Sequence, residues 1–122
     1  MQKLWTIQDW QQAYAHGDIQ LSNLVDYVAT FQNDDHAWIE IASSEQLQAQ
    51  IANLPAAYTE NLPLYGIPFA VKDNIDVAGF HTTAACKEAA YIAQNDATVV
   101  AKLKAAGAIV VGKPIWINSQ QG

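Results

Sequence analysis

AIVVG, residues 108–112, is an almost wholly apolar run, and the twelve residues before it, DATVVAKLKAAG, carry helical spacing. A strand with no polar alternation must be covered on both faces, as in α/β sheets. Residues 66–71 of LYGIPFAV predict an earlier strand, followed by a long irregular excursion over 73–95. Strand, long crossover with helix, strand is the grammar of a parallel or mixed α/β sheet. The helix is expected to be capped by Asp96 and closed by Gly107, with Val99, Val100, Leu103 and Ala106 inward. The excursion exceeds ordinary connection lengths, and loops of that length more often serve a function than merely join elements.

The first half reads as short helices. Thr6 and Asp9 have capping-box spacing, and Ile7, Trp10, Ala13 and Tyr14 recur on one helical face before Gly17. A second helix is expected from Ser22, with Leu21, Leu24, Val25, Val28 and Phe31 as its apolar stripe. AWIEIA (37–42) alternates like a short strand. Ser43 and Gln46 open a third helix whose Leu47, Ile51 and Leu54 share a face, ended by Pro55. AAYTENLP is a loop.

The 122 residues suit one domain with a real core. Their net charge of −6 comes from twelve acids against six lysines, with no arginine. Residues 1–71 sum to −7 and residues 72–122 to +1. Nucleic-acid binding is excluded as an expectation, since phosphate contacts need clustered basic side chains. No apolar stretch is long enough to span a membrane, and the N-terminus does not read as a signal peptide. A single cysteine, Cys86, gives no disulfide framework and fits a reducing cytoplasm. His16, His36, His81 and Cys86 lack metal-site spacing, so neither metal nor cofactor is expected. GAIVVGKP (107–114) mimics a phosphate loop, but Ala-Ile-Val-Val is strand-like and Pro114 replaces the magnesium-binding hydroxyl. Lys113 then reads as a strand-end lysine.

Lys72 is the chemically suggestive residue. On the predicted strand Ile67, Phe69 and Val71 face one way, and Pro68, Ala70 and Lys72 the other. Ligands of open α/β sheets collect at the carboxyl ends of strands, where Lys72 falls. Shielded from water it would be a general base; alternatively it snorkels to solvent, paired with Asp73 or Asp76.

LPLYGIPFAVKDNIDVAGFHTTAAC (62–86) and DATVVAKLKAAGAIVVGK (96–113) closely resemble the amidase signature family, and DNIDVAG and TTAAC look most like its allophanate hydrolases. The resemblance implies a partial amidase-signature fold over 1–122: a helical region 1–61, the start of the amidase core at 62–113, and a divergent tail 114–122. It implies that Lys72 is the base serving a cis-serine that activates a serine nucleophile. Asp73, Asn74, Asp76, Gly79, Thr82 and Thr83 then form a supporting loop. Full-length relatives in this subfamily cleave allophanate, a urea derivative, through an acyl-enzyme.

The family's glycine- and serine-rich segment has no counterpart here. Ser22, Ser43 and Ser44 sit at predicted helix starts, and Ser119 lacks a partner serine. The chain as given is therefore expected to be inactive alone, with a small amide or urea-derived substrate only in a full-length form. The family pattern is also broken at PIWINSQQG (114–122) and at Lys87, which stands where proline is usual, pointing to truncation, a frameshift or a degenerate paralogue. A fragment of another amidase, or of the amidase-like subunit of glutamyl-tRNA amidotransferase, is an alternative. So is a non-enzymatic α/β interaction protein. In the fragment and interaction readings alike, Ile109, Val110 and Val111 are expected to form an exposed edge that pairs with another copy or a partner chain.

Overall fold

The computed structural model describes residues 5–33, 38–83 and 90–114. The predicted features at His36, Cys86, Lys87 and Ser119 lie outside them. Helix α1 spans Ile7–Ala15, α2 Asn23–Ala29, a 3-10 turn Thr30–Asn33, strand β1 Trp38–Ile41 and α3 Ser44–Ala52. Then come β2 Pro68–Ala70, β3 His81–Thr82, β4 Tyr91–Ile92, α4 Thr98–Ala105 and β5 Ile109–Pro114.

The local signals at α1 and α3 work as expected. Thr6 Oγ1 accepts from Asp9 N while Thr6 N donates to the Asp9 carboxylate, and Ser43 and Gln46 repeat the reciprocal pair. Gly17, with φ +79, follows α1 at its carboxyl end. Two other caps differ from expectation. Ser22 precedes α2 but makes no side-chain cap; the Asn23 Oδ1 at the helix start accepts from Gln20 N in the preceding turn. Asp96 does not cap α4 either; its carboxylate accepts from Ala78 N at 2.8 Å and Lys104 Nζ at 3.0 Å, tying the helix to the preceding loop.

The sheet is mixed, in the order β1-β5-β2, with β5 antiparallel to β1 and parallel to β2. The parallel pair is joined through the β3-β4 hairpin and α4, the crossover that the sequence predicts. β2 is shorter than the expected 66–71; Ile67 and Val71 are buried and Ala70 and Lys72 exposed, but Pro68 and Phe69 are both half-buried and the register with β5 shifts between Phe69 and Ala70. In β1 a register shift between Trp38 and Glu40 breaks the alternation and leaves Ile39 exposed. Of the residues expected to face inward on α4, Val100 is buried and Leu103 and Ala106 are half-buried, but Val99 is exposed.

The expected free edge at Ile109, Val110 and Val111 is corrected. β5 is the central strand and all three residues are buried. Beyond the end of β1, the Gln50 side chain continues the pairing: Nε2 donates to Val110 O at 2.9 Å and Oε1 accepts from Val110 N at 2.8 Å. The core gathers Leu24, Val28, Leu47, Tyr65, Val77, Phe80 and Val100 around Ile109 and Val110.

Helix α1 is fastened to the approach to β2 by a buried phenol. Tyr14 packs edge-on against Tyr65, with ring centroids 5.2 Å apart, and its hydroxyl donates to Gly66 O at 2.7 Å. Gly66 has φ +66, and a Cβ there would overlap the Tyr14 hydroxyl. Gly66→Ala is expected to destabilise the chain by about 2 kcal/mol or more, since the left-handed backbone alone costs a β-carbon residue about 1–2 kcal/mol; urea unfolding measures it. Burial, then the charge of Tyr65, raises the Tyr14 pKa well above its usual 10.0. A raised folded pKa contributes stability that is whole below the unfolded value and lost as pH climbs towards the folded one. Stability is therefore expected to fall above pH of about 10. Tyr14→Phe is expected to lose about 1 kcal/mol at neutral pH but to flatten this alkaline decline. Unfolding curves of both proteins from about pH 8 to 11 test that difference.

Candidate active site

β2 ends at Ala70, and the next two residues leave the sheet beside β5, where Val71 N donates to Gly112 O at 3.0 Å. Lys72 follows directly and is exposed. Its ammonium has no hydrogen bond to any other described residue, while its carbonyl accepts from Ile75 N at 3.0 Å to close a turn. Lys72 thus stands at the carboxyl end of a strand, as expected, but neither shielded nor paired with Asp73 or Asp76.

The loop behind it is densely bonded. The Thr83 hydroxyl donates to the Asp73 carboxylate, and Thr83 N to Asp73 O at 3.2 Å. Asp76 Oδ1 accepts from Thr82 Oγ1 at 2.8 Å and from the Tyr91 hydroxyl at 2.6 Å. Those two hydroxyls, Tyr91 foremost, hold the Asp76 carboxyl below the ordinary aspartate range. Thr82 is itself buried, and Asp76 O accepts from Ala97 N at the start of α4. Gly79 adopts φ +86, donates its N–H to Ala93 O and accepts from Gln46 Nε2. Asn74 is exposed and adds only its place in the turn. Of the expected supporting residues, Asp73 thus bonds Thr83, Asp76 bonds Thr82, and Gly79 bonds Ala93 and Gln46, with Lys72 directly before this loop.

Lys113 departs furthest from its expected role. It is not a solvent-reaching strand-end lysine: its relative exposure is 0%. Its Nζ donates to His81 O at 2.6 Å, Ile75 O at 2.9 Å and Asp73 O at 3.3 Å. Burial pushes its pKa below the ordinary lysine value, while Glu40, Asp73 and Asp76 draw it back up. Glu40, opposite Lys113 on β1, also receives His81 N at 2.8 Å and faces His81 Nδ1 at 3.3 Å. A GK pair at the end of an apolar strand carries no side-chain pattern that would distinguish this burial from a solvated end.

Among the described residues no group of three or more His, Cys, Asp or Glu side chains is placed to hold a metal ion. No helix among them is long and apolar enough to cross a membrane. A cleft of about 360 Å³ between α3, residues 78–80 and α4 is lined by Gln46, Gln50, Phe80 and Lys104, among others. Lys72 does not line it.

The amidase family model matches residues 21–115. Urea amidolyase of Saccharomyces cerevisiae is 46% identical over 114 residues, a match covering 89% of this chain and 6% of that protein. A glutamyl-tRNA(Gln) amidotransferase subunit from Roseiflexus sp. is 38% identical over 114 residues, covering 88% of this chain and 23% of that protein. Among solved structures, Kluyveromyces lactis allophanate hydrolase superposes with a TM-score of 0.74 at 38% identity, over 90% of this chain and 19% of that one. The chain thus spans under a quarter of each of these relatives. Its mixed sheet, its VKDN loop and the family match over 21–115 together make it a member of the amidase family.

Proposed function

We propose that residues 1–122 are the N-terminal portion of an allophanate-hydrolase-like amidase, one incomplete domain that supplies the base of the reaction and not its nucleophile. The observation that carries this reading is the position of Lys72. It leaves the carboxyl end of β2 with an amine that bonds no other described residue, just before a loop fixed by Asp73, Asp76, Thr82 and Thr83. An exposed lysine here suits a site completed by further chain. Covered by that chain, the amine would lose water, which favours its neutral, proton-accepting form.

The proposed chemistry follows from what an amide needs. Serine is a weak nucleophile, so its proton must be removed as it attacks and given later to the departing nitrogen. Lys72 Nζ would accept that proton through a bridging serine hydroxyl and return it by the same route. Asp73 and Asp76 receive neighbouring hydroxyls, so their role is to fix the loop. Full-length protein would act on a small urea-derived amide in the cytoplasm. The similarity to the glutamyl-tRNA amidotransferase chain supports a second reading, in which the segment belongs to an amide-transferring enzyme. An interaction role would use the outer edges of β1 and β2, where Ile39 is exposed.

The purified chain is expected to release no ammonia from allophanate. Grafted in place of the matching segment of Saccharomyces urea amidolyase, it is expected to give an enzyme that does. Lys72→Ala in that graft is expected to lower kcat by about 10²–10⁴-fold, the usual scale of a lost general base. Retention of full turnover without the Lys72 amine would refute the assignment. A graft active only within the glutamyl-tRNA amidotransferase would favour the second reading. Sedimentation of the free chain tests pairing through the sheet edges, for which a concentration-dependent dimer is the expected sign.

A further inference from the structure

Lys72 is bracketed by two adjacent residues of β5. On its N-terminal side, Val71 N donates to Gly112 O at 3.0 Å. On its C-terminal side, Asp73 O and Ile75 O both accept from Lys113 Nζ. The third ammonium bond, to His81 O, draws the far end of the loop to the same point. We propose that Lys113 is a positioning residue, whose buried ammonium gathers the 73–81 loop and thereby sets where Lys72 leaves the sheet. The proposal rests on the reading of Lys72 as the base and adds to it the group that holds that base in place.

An ammonium has three donors, and Lys113 directs all three at backbone carbonyls. It is fully buried on the central strand, with Glu40, Asp73 and Asp76 near enough to offset its charge. An ionised group in such a place is tolerated only when its hydrogen bonds are complete and opposite charge is near. The arrangement does for the loop what a bound cation does elsewhere, drawing together carbonyls from residues distant in sequence. The acceptors stand one and three residues beyond Lys72, so releasing them frees the main chain next to the amine. Misplacement of a reacting group by about 1 Å can cost about a hundredfold in rate.

The test has an arm that does not depend on Lys72. In the 122-residue chain, Lys113→Met keeps an unbranched side chain, one atom shorter, and removes the donors. Amide exchange at residues 73–81 is expected to quicken about tenfold or more, while Val110 and Val111 keep their protection. A folded Lys113→Met chain with unchanged loop exchange overturns the proposal. If that variant does not fold, the unmodified chain decides: the Lys113 Nζ protons should give a slowly exchanging NMR signal, distinct from that of exposed Lys102. Exchange as fast as Lys102 overturns the proposal as well.

In the urea amidolyase graft, Lys113→Met is expected to lower kcat about a hundredfold with KM within about threefold. Lys113→Ala is expected to regain part of that rate with added propylammonium, but not with propanol of the same shape. A loosened loop with undiminished kcat, in a graft still inactivated by Lys72→Ala, overturns the positioning role and leaves the function of Lys72 standing. A graft indifferent to Lys72→Ala removes the function of Lys72, and with it the purpose assigned to Lys113.

Discussion

Strand β5 is bonded on both sides, and the rest of the structure depends on that. Its parallel partner β2 delivers Lys72, and its antiparallel partner β1 delivers Glu40 to the loop beyond. Because Ile109, Val110 and Val111 are buried, β5 can hold this place only if every main-chain group finds a partner. Gly112 meets a related constraint: a Cβ there would come within 2.6 Å of Glu40 O and 2.9 Å of the Trp38 ring. The bare backbone of Gly112 allows the close approach of β1, and the next residue sends its side chain under the loop.

Charge and hydrogen bonding in the loop divide the work between two layers. Beneath, the Lys113 ammonium collects three carbonyls without reaching solvent. Above, Asp73 and Asp76 receive the hydroxyls of Thr83, Thr82 and Tyr91. Lys72, with acids at 73 and 76, forms no ion pair with either.

Signals confined to a few neighbouring residues could be read from the sequence. The boxes at Thr6/Asp9 and Ser43/Gln46 both appear as expected, because each is closed within three residues. Signals that depend on a distant partner could not. Asp96 has capping chemistry, but Ala78 N and Lys104 claim its carboxylate. Val99 and Val100 are both expected on the inward face of α4, yet only Val100 is buried. The central place of β5 depends on pairing with β1, far back in the chain, which an apolar run alone does not specify. Lys113 was hidden most completely, because its partners are main-chain carbonyls 32 to 40 residues away, and every residue type carries those.

Gln50 has a consequence for how this molecule meets others. Its primary amide offers one donor and one acceptor to Val110 and nothing outward that repeats the spacing of a polypeptide. A strand from another molecule arriving there would find Val110 already paired and helix α3 packed against β5. The amino-terminal half of β5 is thus sealed against templated β-stacking, and recruitment into an intermolecular sheet is confined to the outer margins of its two neighbours.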